Sequence, residues 1–318
     1  MNHKIKPMTE SGVLSAITAI MALIGLYVPI LGTVAVLVWP LPIVILIVRH
    51  GLRWGLMAIA VAGALMAILI EPLMALHMVV AFAPVGVALG IGYRRGFGAT
   101  KMLVAAIGVS IVAEAAVILL ALLITSINPL TAQIDLMKES FTSSIDMYRA
   151  FNMPEDQIAE AEKNFSSMMQ VLPLLIPLFI VLMGMLDAFV NYWVAGKVLR
   201  RLGHQDFPVL KPLSEWRLPV FFLYLYAFGL VGMYWGGTRQ IDLLYQISFN
   251  ANLLASFFGF LQGLALLQTV ANHWKVSKFV RWVIVIFVMF NGMLLQILSF
   301  TGLFDMVFDY RRRFSQKK

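Results

Sequence analysis

Two carboxylates stand inside runs apolar enough to lie in a membrane. Glu114 is near the middle of GVSIVAEAAVILL, and Asp187 is near the middle of MGMLDAFVNYW. An ionisable group at membrane depth is costly, so it is usually paired, hydrogen-bonded or functional. Ser110 precedes Glu114 by four residues and Asn191 follows Asp187 by four, so each shares a helical face with its acid. Counting up from Lys101 and back from Lys197 puts both acids roughly 15–20 Å from one boundary, at about 1.5 Å per residue. If the two helices touch, the pair could share a proton or hold a cation. The same residues could equally be a protonated acid that ties two helices together. His77, in the outer part of another apolar run near Glu71, could line an external pocket or bond a neighbouring helix.

Other chemistries lack their residues. The chain has no cysteine, hence no thiol nucleophile, disulfide or thiolate metal site. No P-loop, H-E-x-x-H or nucleophile elbow occurs, and GIGYRRG at 90–96 lacks the spacing of a dinucleotide fingerprint. Gly184-Met185-Leu186 before Asp187 does not make the G-x-G-D of an intramembrane aspartyl protease. The expectation is a protein that is not an enzyme, with no cofactor and no metal.

The elements that must position these groups follow from composition. Apolar residues make up 61% of the 318-residue chain and charged residues only 13%. Soluble domains carry about 45–50% and about 25%. Apolar runs near 10–28, 30–48, 54–71, 73–92, 102–127, 171–199, 217–236, 250–273 and 282–303 predict an all-α, polytopic transmembrane helical bundle of about nine spans. Pro40 and Pro42 interrupt the second run and Pro84 the fourth, and Glu71-Pro72 marks a tight hairpin. The eighth run carries Asn250, Asn252, Gln262, Gln268 and Asn272 on more than one face, which reads as interhelical contacts rather than one channel.

The net charge of +8 sits in clusters at run ends. That placement fits a lipid bilayer as partner and excludes a nucleic-acid reading. Lys4/Lys6, Arg49/Arg53, Arg94/Arg95/Lys101, Lys197–Arg217 and Lys275/Lys278/Arg281 fall at alternate boundaries, which predicts a cytoplasmic N-terminus. Nine spans would leave RRRFSQKK outside, unless Asn291-Gly292 breaks the last run into two short helices that return the tail. The tail is expected inside. Residues 128–170 are then external. Ile134, Met137, Phe141, Ile145 and Tyr148 make one apolar stripe, and Ile158, Ala161, Phe165 and Met169 another that runs into the sixth span. This predicts a helical hairpin over the membrane domain, either a lid or a pair resting on headgroups. The expected domains are 1–200, a linker 201–216, membrane helices 217–310 and a basic tail 311–318.

TESGVLSAITAIMALIGLYVPILG, RHGLRWG, DAFVNYWVAGKVLRRLG, EWRLPVFF and GLFDMVFDYRRR together resemble the YybS-like family of bacterial membrane proteins. The N-terminal part is similar to the six-helix S components of energy-coupling-factor transporters. That likeness implies residence in the bacterial cytoplasmic membrane and an external-side pocket built near 28–30, 71–73 and 128–170. It also implies docking of the first helix on a transmembrane coupling subunit with its ATPase module. Gly12/Ala16 and Ser15/Ala19 supply small residues there, in place of a strict A-x-x-x-A, and extra C-terminal spans follow. The resulting expectation is a non-enzymatic, transport-related membrane protein that captures an unknown small molecule from the external side and relies on partner subunits for energy. A structural or regulatory membrane scaffold is one alternative, and a self-sufficient proton- or cation-coupled transporter using Glu114 and Asp187 is another.

Overall fold

The computed structural model describes residues 5–312. The expected basic start at Lys4 and the tail beyond Arg312 lie outside them. The described residues fold as helices: α1 (Ile5–Tyr27), α2 (Leu31–Leu37), α3 (Leu41–His50), α4 (Leu52–Leu69), α5 (Pro72–Arg94), α6 (Ala99–Thr125), α7 (Pro129–Ala150), α8 (Glu155–Arg201), α9 (Phe221–Thr238), α10 (Asp242–His273), α11 (Lys278–Phe290) and α12 (Gly292–Phe308). Among the described residues, seven stretches are long and apolar enough to cross a membrane: Pro7–Tyr27, Leu31–His50, Leu52–Leu69, Pro72–Arg94, Ala99–Thr125, Glu155–Arg201 and Asp242–His273. The fold is an all-α, polytopic helical membrane protein.

Two of the nine expected spans come out differently. The run near 217–236 becomes α9, a helix with four glycines, three tyrosines and a tryptophan that is not among the seven. The last run breaks at Asn291, where α11 and α12 bend by 107°. Asn291 ends one helix in extended backbone and caps the next by accepting from Leu294 N at 3.1 Å. Counting the bent pair as one span gives eight.

The helices divide into two compact units, Met1–Met169 with Phe179–Leu210, and Gln170–Leu178 with Lys211–Lys318. In the first, the proline pair leaves a three-residue break between α2 and α3, while α5 runs through Pro84 unbroken. α5 meets that break through glycines. A Cβ on Gly86 would lie 3.0 Å from the Pro40 carbonyl oxygen, and one on Gly90 2.7 Å from Ile47. In lipid no hydrophobic gain accompanies helix pairing, so this close approach of small residues is what holds the helices together. One core joins Val44, Val85, Leu89, Met102, Ala106, Ala188 and Tyr192, and it takes in Phe207 from the segment after α8.

α8 runs 47 residues without interruption, about 70 Å at 1.5 Å per residue. That is more than twice the ~30 Å hydrocarbon core. Its first turns pair with α7, where Phe141 stacks on Phe165 at 3.8 Å and Arg149 bonds Glu162 at 3.0 Å. The expected hairpin is therefore built on an extension of a spanning helix.

In the second unit α9 and α10 form an antiparallel pair through Gly229, Gly232 and Gly236, which face Asn252, Ser248 and Tyr245. α12 crosses α10 where Gly302 meets Gly259 and Gly263. Pro177 has no N–H, and just beyond it Asn250 of α10 inserts into α8. Its amide donates to the Leu174 carbonyl at 2.7 Å and accepts from Leu178 N at 3.0 Å. This bridges one opened turn of the helical ladder.

The α11–α12 pair starts and finishes at one end of α10. Arg281 bonds Asn272 and the Ala271 carbonyl near the start of α11. After α12, Arg311 donates to the Ser214 carbonyl at 2.9 Å, and Thr269 donates to that same carbonyl at 3.1 Å. The pair is thus a bent hairpin whose two ends lie at the same end of α10.

Candidate functional site

Asp187, Ser110 and Asn191 come together in the first unit. Gly184 packs against Ile111, where a Cβ would lie 2.9 Å from its side chain. This brings α8 against α6 one turn from both polar residues. The Ser110 hydroxyl donates to Asp187 Oδ2 at 3.0 Å. Asn191 Nδ2 lies 2.8 Å from Asp187 Oδ1 and 2.9 Å from the Asp187 carbonyl. The same nitrogen reaches the Leu37 carbonyl at 3.0 Å. That carbonyl ends α2, and the next amide in register, Leu41 N, turns to Val38 instead. The break in the second span is thus capped from α8. All three side chains are buried.

Glu114 follows Ser110 by one turn of α6 but forms no hydrogen bond with Asp187. It reaches Asp187 only through its charge. The carboxyl pair anticipated from matching depth is replaced by an acid flanked by a hydroxyl and an amide, with the second acid half-buried beside it.

His77 is elsewhere. With Glu71 it edges a half-open cleft of about 250 Å³ between α5 and α6, otherwise lined by apolar residues such as Met74, Val117, Leu120 and Ile124. The cleft lies beside the Glu71-Pro72 turn. On α1 the small residues split between two faces: Ser15 and Ala19 are buried in the unit's own core, whereas Gly12 and Ala16 face outward, with nothing within 4 Å of a Cβ on Gly12.

Three clusters went unread in the sequence. Glu10 accepts from Arg49 at 3.0 Å and meets His50 at 2.7 Å, joining α1 to the end of α3. The Tyr93 hydroxyl donates to Asp206 at 2.5 Å and so holds that carboxyl below its ordinary range. His204 lies 3.3 Å from the same hydroxyl. In the second unit Asp305 Oδ2 accepts from Arg311 Nε at 3.0 Å and from Gln262 Nε2 at 2.7 Å. Arg311 also donates to the Ser214 and Trp216 carbonyls, and Gln262 Oε1 accepts from Leu218 N. The first and last clusters had a usable signal: TESG and RHG, like EWRL and FDYRR, were conspicuous stretches, and the structure joins each pair. Among the described residues no group of three or more His, Cys, Asp or Glu is placed to hold a metal ion.

The comparisons agree with this architecture. The chain is 25% identical over 315 residues to the uncharacterized protein YybS of Bacillus subtilis (strain 168), covering 97% of this chain and 98% of that one. No solved structure matches. A family described as predicted membrane protein (DUF2232) matches residues 16–306, and the chain, YybS-like over nearly its whole length, belongs to that family.

Proposed function

We propose that this chain is a non-enzymatic, transport-related membrane protein that takes up a small molecule and draws its energy from partner subunits. The observation that carries the reading is Asp187, buried inside a spanning helix and bonded through Asn191 to the break of another. Acids at membrane depth and interrupted helices are the recurring parts of transport sites. The α5–α6 cleft supplies space for a small, mainly apolar molecule. Partner dependence is favoured by the lack of a P-loop in the sequence and by the outward-facing Gly12 and Ala16 on α1.

Asp187→Asn tests it. An amide at this position keeps an acceptor for Asn191 and a donor for the Ser110 oxygen. The variant is expected to fold with a melting temperature within a few degrees of wild type. It is also expected to lose at least tenfold of ligand uptake into cells or vesicles, scored with a broad metabolite panel. Loss of folded protein, with uptake never seen in the wild type, would favour a scaffold in which the acid only ties helices. Copurification with an ATPase module would argue against a self-sufficient transporter.

A further inference from the structure

The Asp187 site holds more oxygens than hydrogens. Both carboxylate oxygens, the Leu37 carbonyl and the Asp187 carbonyl face three hydrogens, two on Asn191 Nδ2 and one on Ser110. Nδ2 faces Leu37 O, Asp187 O and Asp187 Oδ1, one more acceptor than it has hydrogens. Asn191 is 2% exposed, and its Oδ1 has no partner at all.

Charge points the same way as this count. Among the described residues no Lys, Arg or His bonds Asp187. On α6 the ionisable group facing it is Glu114, a like charge. The α2–α3 stretch has none before Arg49 at its far end, and on α5 the ionisable groups, His77, Tyr93 and Arg94, stand toward the ends. Along α8 the next are Tyr192, five residues on, whose hydroxyl donates to the Pro208 carbonyl, and Lys197, ten residues on. A bare carboxylate here is uncompensated in a low-dielectric interior, and such a group is neutralised or bound. A metal-sized cation meets an obstacle, because Nδ2 already occupies the point between three of the oxygens. A proton needs no such space, and it supplies both the missing hydrogen and the missing charge.

We infer that Asp187 is a proton-binding site whose occupancy is relayed through Asn191 to the break between α2 and α3. This rests on the transport reading above and names the ion that its buried acid takes. With the proton on Oδ2, the carboxyl donates to the Ser110 oxygen across the 3.0 Å contact. The freed Ser110 hydroxyl hydrogen turns to a carbonyl of its own helix, and the Asn191 hydrogens remain available to Leu37. When the proton leaves to water, Oδ1 carries charge and competes with the Leu37 carbonyl for the same two hydrogens. The cap on the broken helix then loosens.

Infrared difference spectra of the purified protein across a pH titration test this directly. Above the range in which exposed Asp and Glu titrate, a protonated-carboxyl carbonyl band that is lost as pH rises is expected in the wild type. It should be absent in Asp187→Asn and retained in Glu114→Gln. Ser110→Ala removes a donor to the charged form, so it should move the midpoint to higher pH by about one unit. The hydrogen-exchange protection of Val38, Trp39 and Leu41, taken relative to the intrinsic base-catalysed rate, should fall with pH in the wild type and stay constant in Asp187→Asn. A titrating band unchanged in Asp187→Asn, or a wild type with no such band at any pH, overturns the inference. Ligand uptake is a separate measurement, so a failed proton site and a failed transport reading are told apart.

Discussion

Replacing Gly302 by alanine is expected to remove nearly all folded protein, although alanine is the better helix former by about 1 kcal/mol. A Cβ on Gly302 would overlap the Gly259 carbonyl oxygen and the Gly263 nitrogen, both backbone atoms of α10. Side chains can rotate away from an added methyl, and overpacking of that kind costs about 1–3 kcal/mol. Backbone cannot rotate away without moving the helix, so the loss should exceed about 3 kcal/mol against a total stability of about 5–15 kcal/mol. The partner surface is equally rigid, since a Cβ on Gly259 would lie 2.6 Å from the Ser299 carbonyl oxygen. Gly12→Ala makes the same chemical change where nothing lies within 4 Å. It should leave the yield of monodisperse protein and the melting temperature unchanged. Equal behaviour of the two variants in size exclusion and thermal melts would mean that the α10–α12 crossing is not close-packed.

Those glycines show which parts of the fold the sequence could and could not carry. Local signals were legible. Run length and composition gave the helical membrane class, Pro40-Leu41-Pro42 marked the break in the second span, and Asn291-Gly292 marked the bend of the last run. The candidate site was half legible for the same reason. Asp187 and Asn191 share a face because helical geometry puts i and i+4 together, which needs no knowledge of any other helix. What depended on a distant partner was hidden. Depth matching suggested Glu114 opposite Asp187, but Ser110, one turn away on the same face of α6, meets it instead, and a count along the chain does not resolve an axial offset of about 6 Å. Asn250 looked like any polar residue in an apolar run until Pro177, more than seventy residues away, gave it an opened turn to fill. Arg311 was misleading in another way. A basic residue at the end of an apolar run reads as a membrane anchor by the positive-inside pattern, and only the return of α12 to its starting end shows it buried.

That burial sets the second large effect. The Arg311 and Asp305 side chains are 6% and 1% exposed. Among the described residues Arg311→Ala removes the only cation bonded to Asp305, leaving the carboxylate with the Gln262 amide as its one remaining donor there. Breaking a buried pair from one side costs about 3–5 kcal/mol, because the surviving charge is left uncompensated. The Trp216 carbonyl loses its donor in the same step and the Ser214 carbonyl keeps only Thr269, so the segment before α9 should loosen as well. Arg311→Lys keeps the charge but cannot serve Asp305 and two carbonyls from one fork of donors, so it should recover only part of the loss. Asp305→Leu combined with Arg311→Met removes both charges together. It should be more stable than Arg311→Ala despite changing two residues, since a buried pair is often no better than apolar groups of similar volume. A thermal-melt cycle over the two singles and the double measures this as a coupling free energy. If the losses simply add, Asp305 and Arg311 act independently, and the bent hairpin is held by its glycine crossing alone. If the double variant recovers, the charges act as a unit that fixes where the chain returns, and FDYRR with EWRL is the sequence form of one buried clasp.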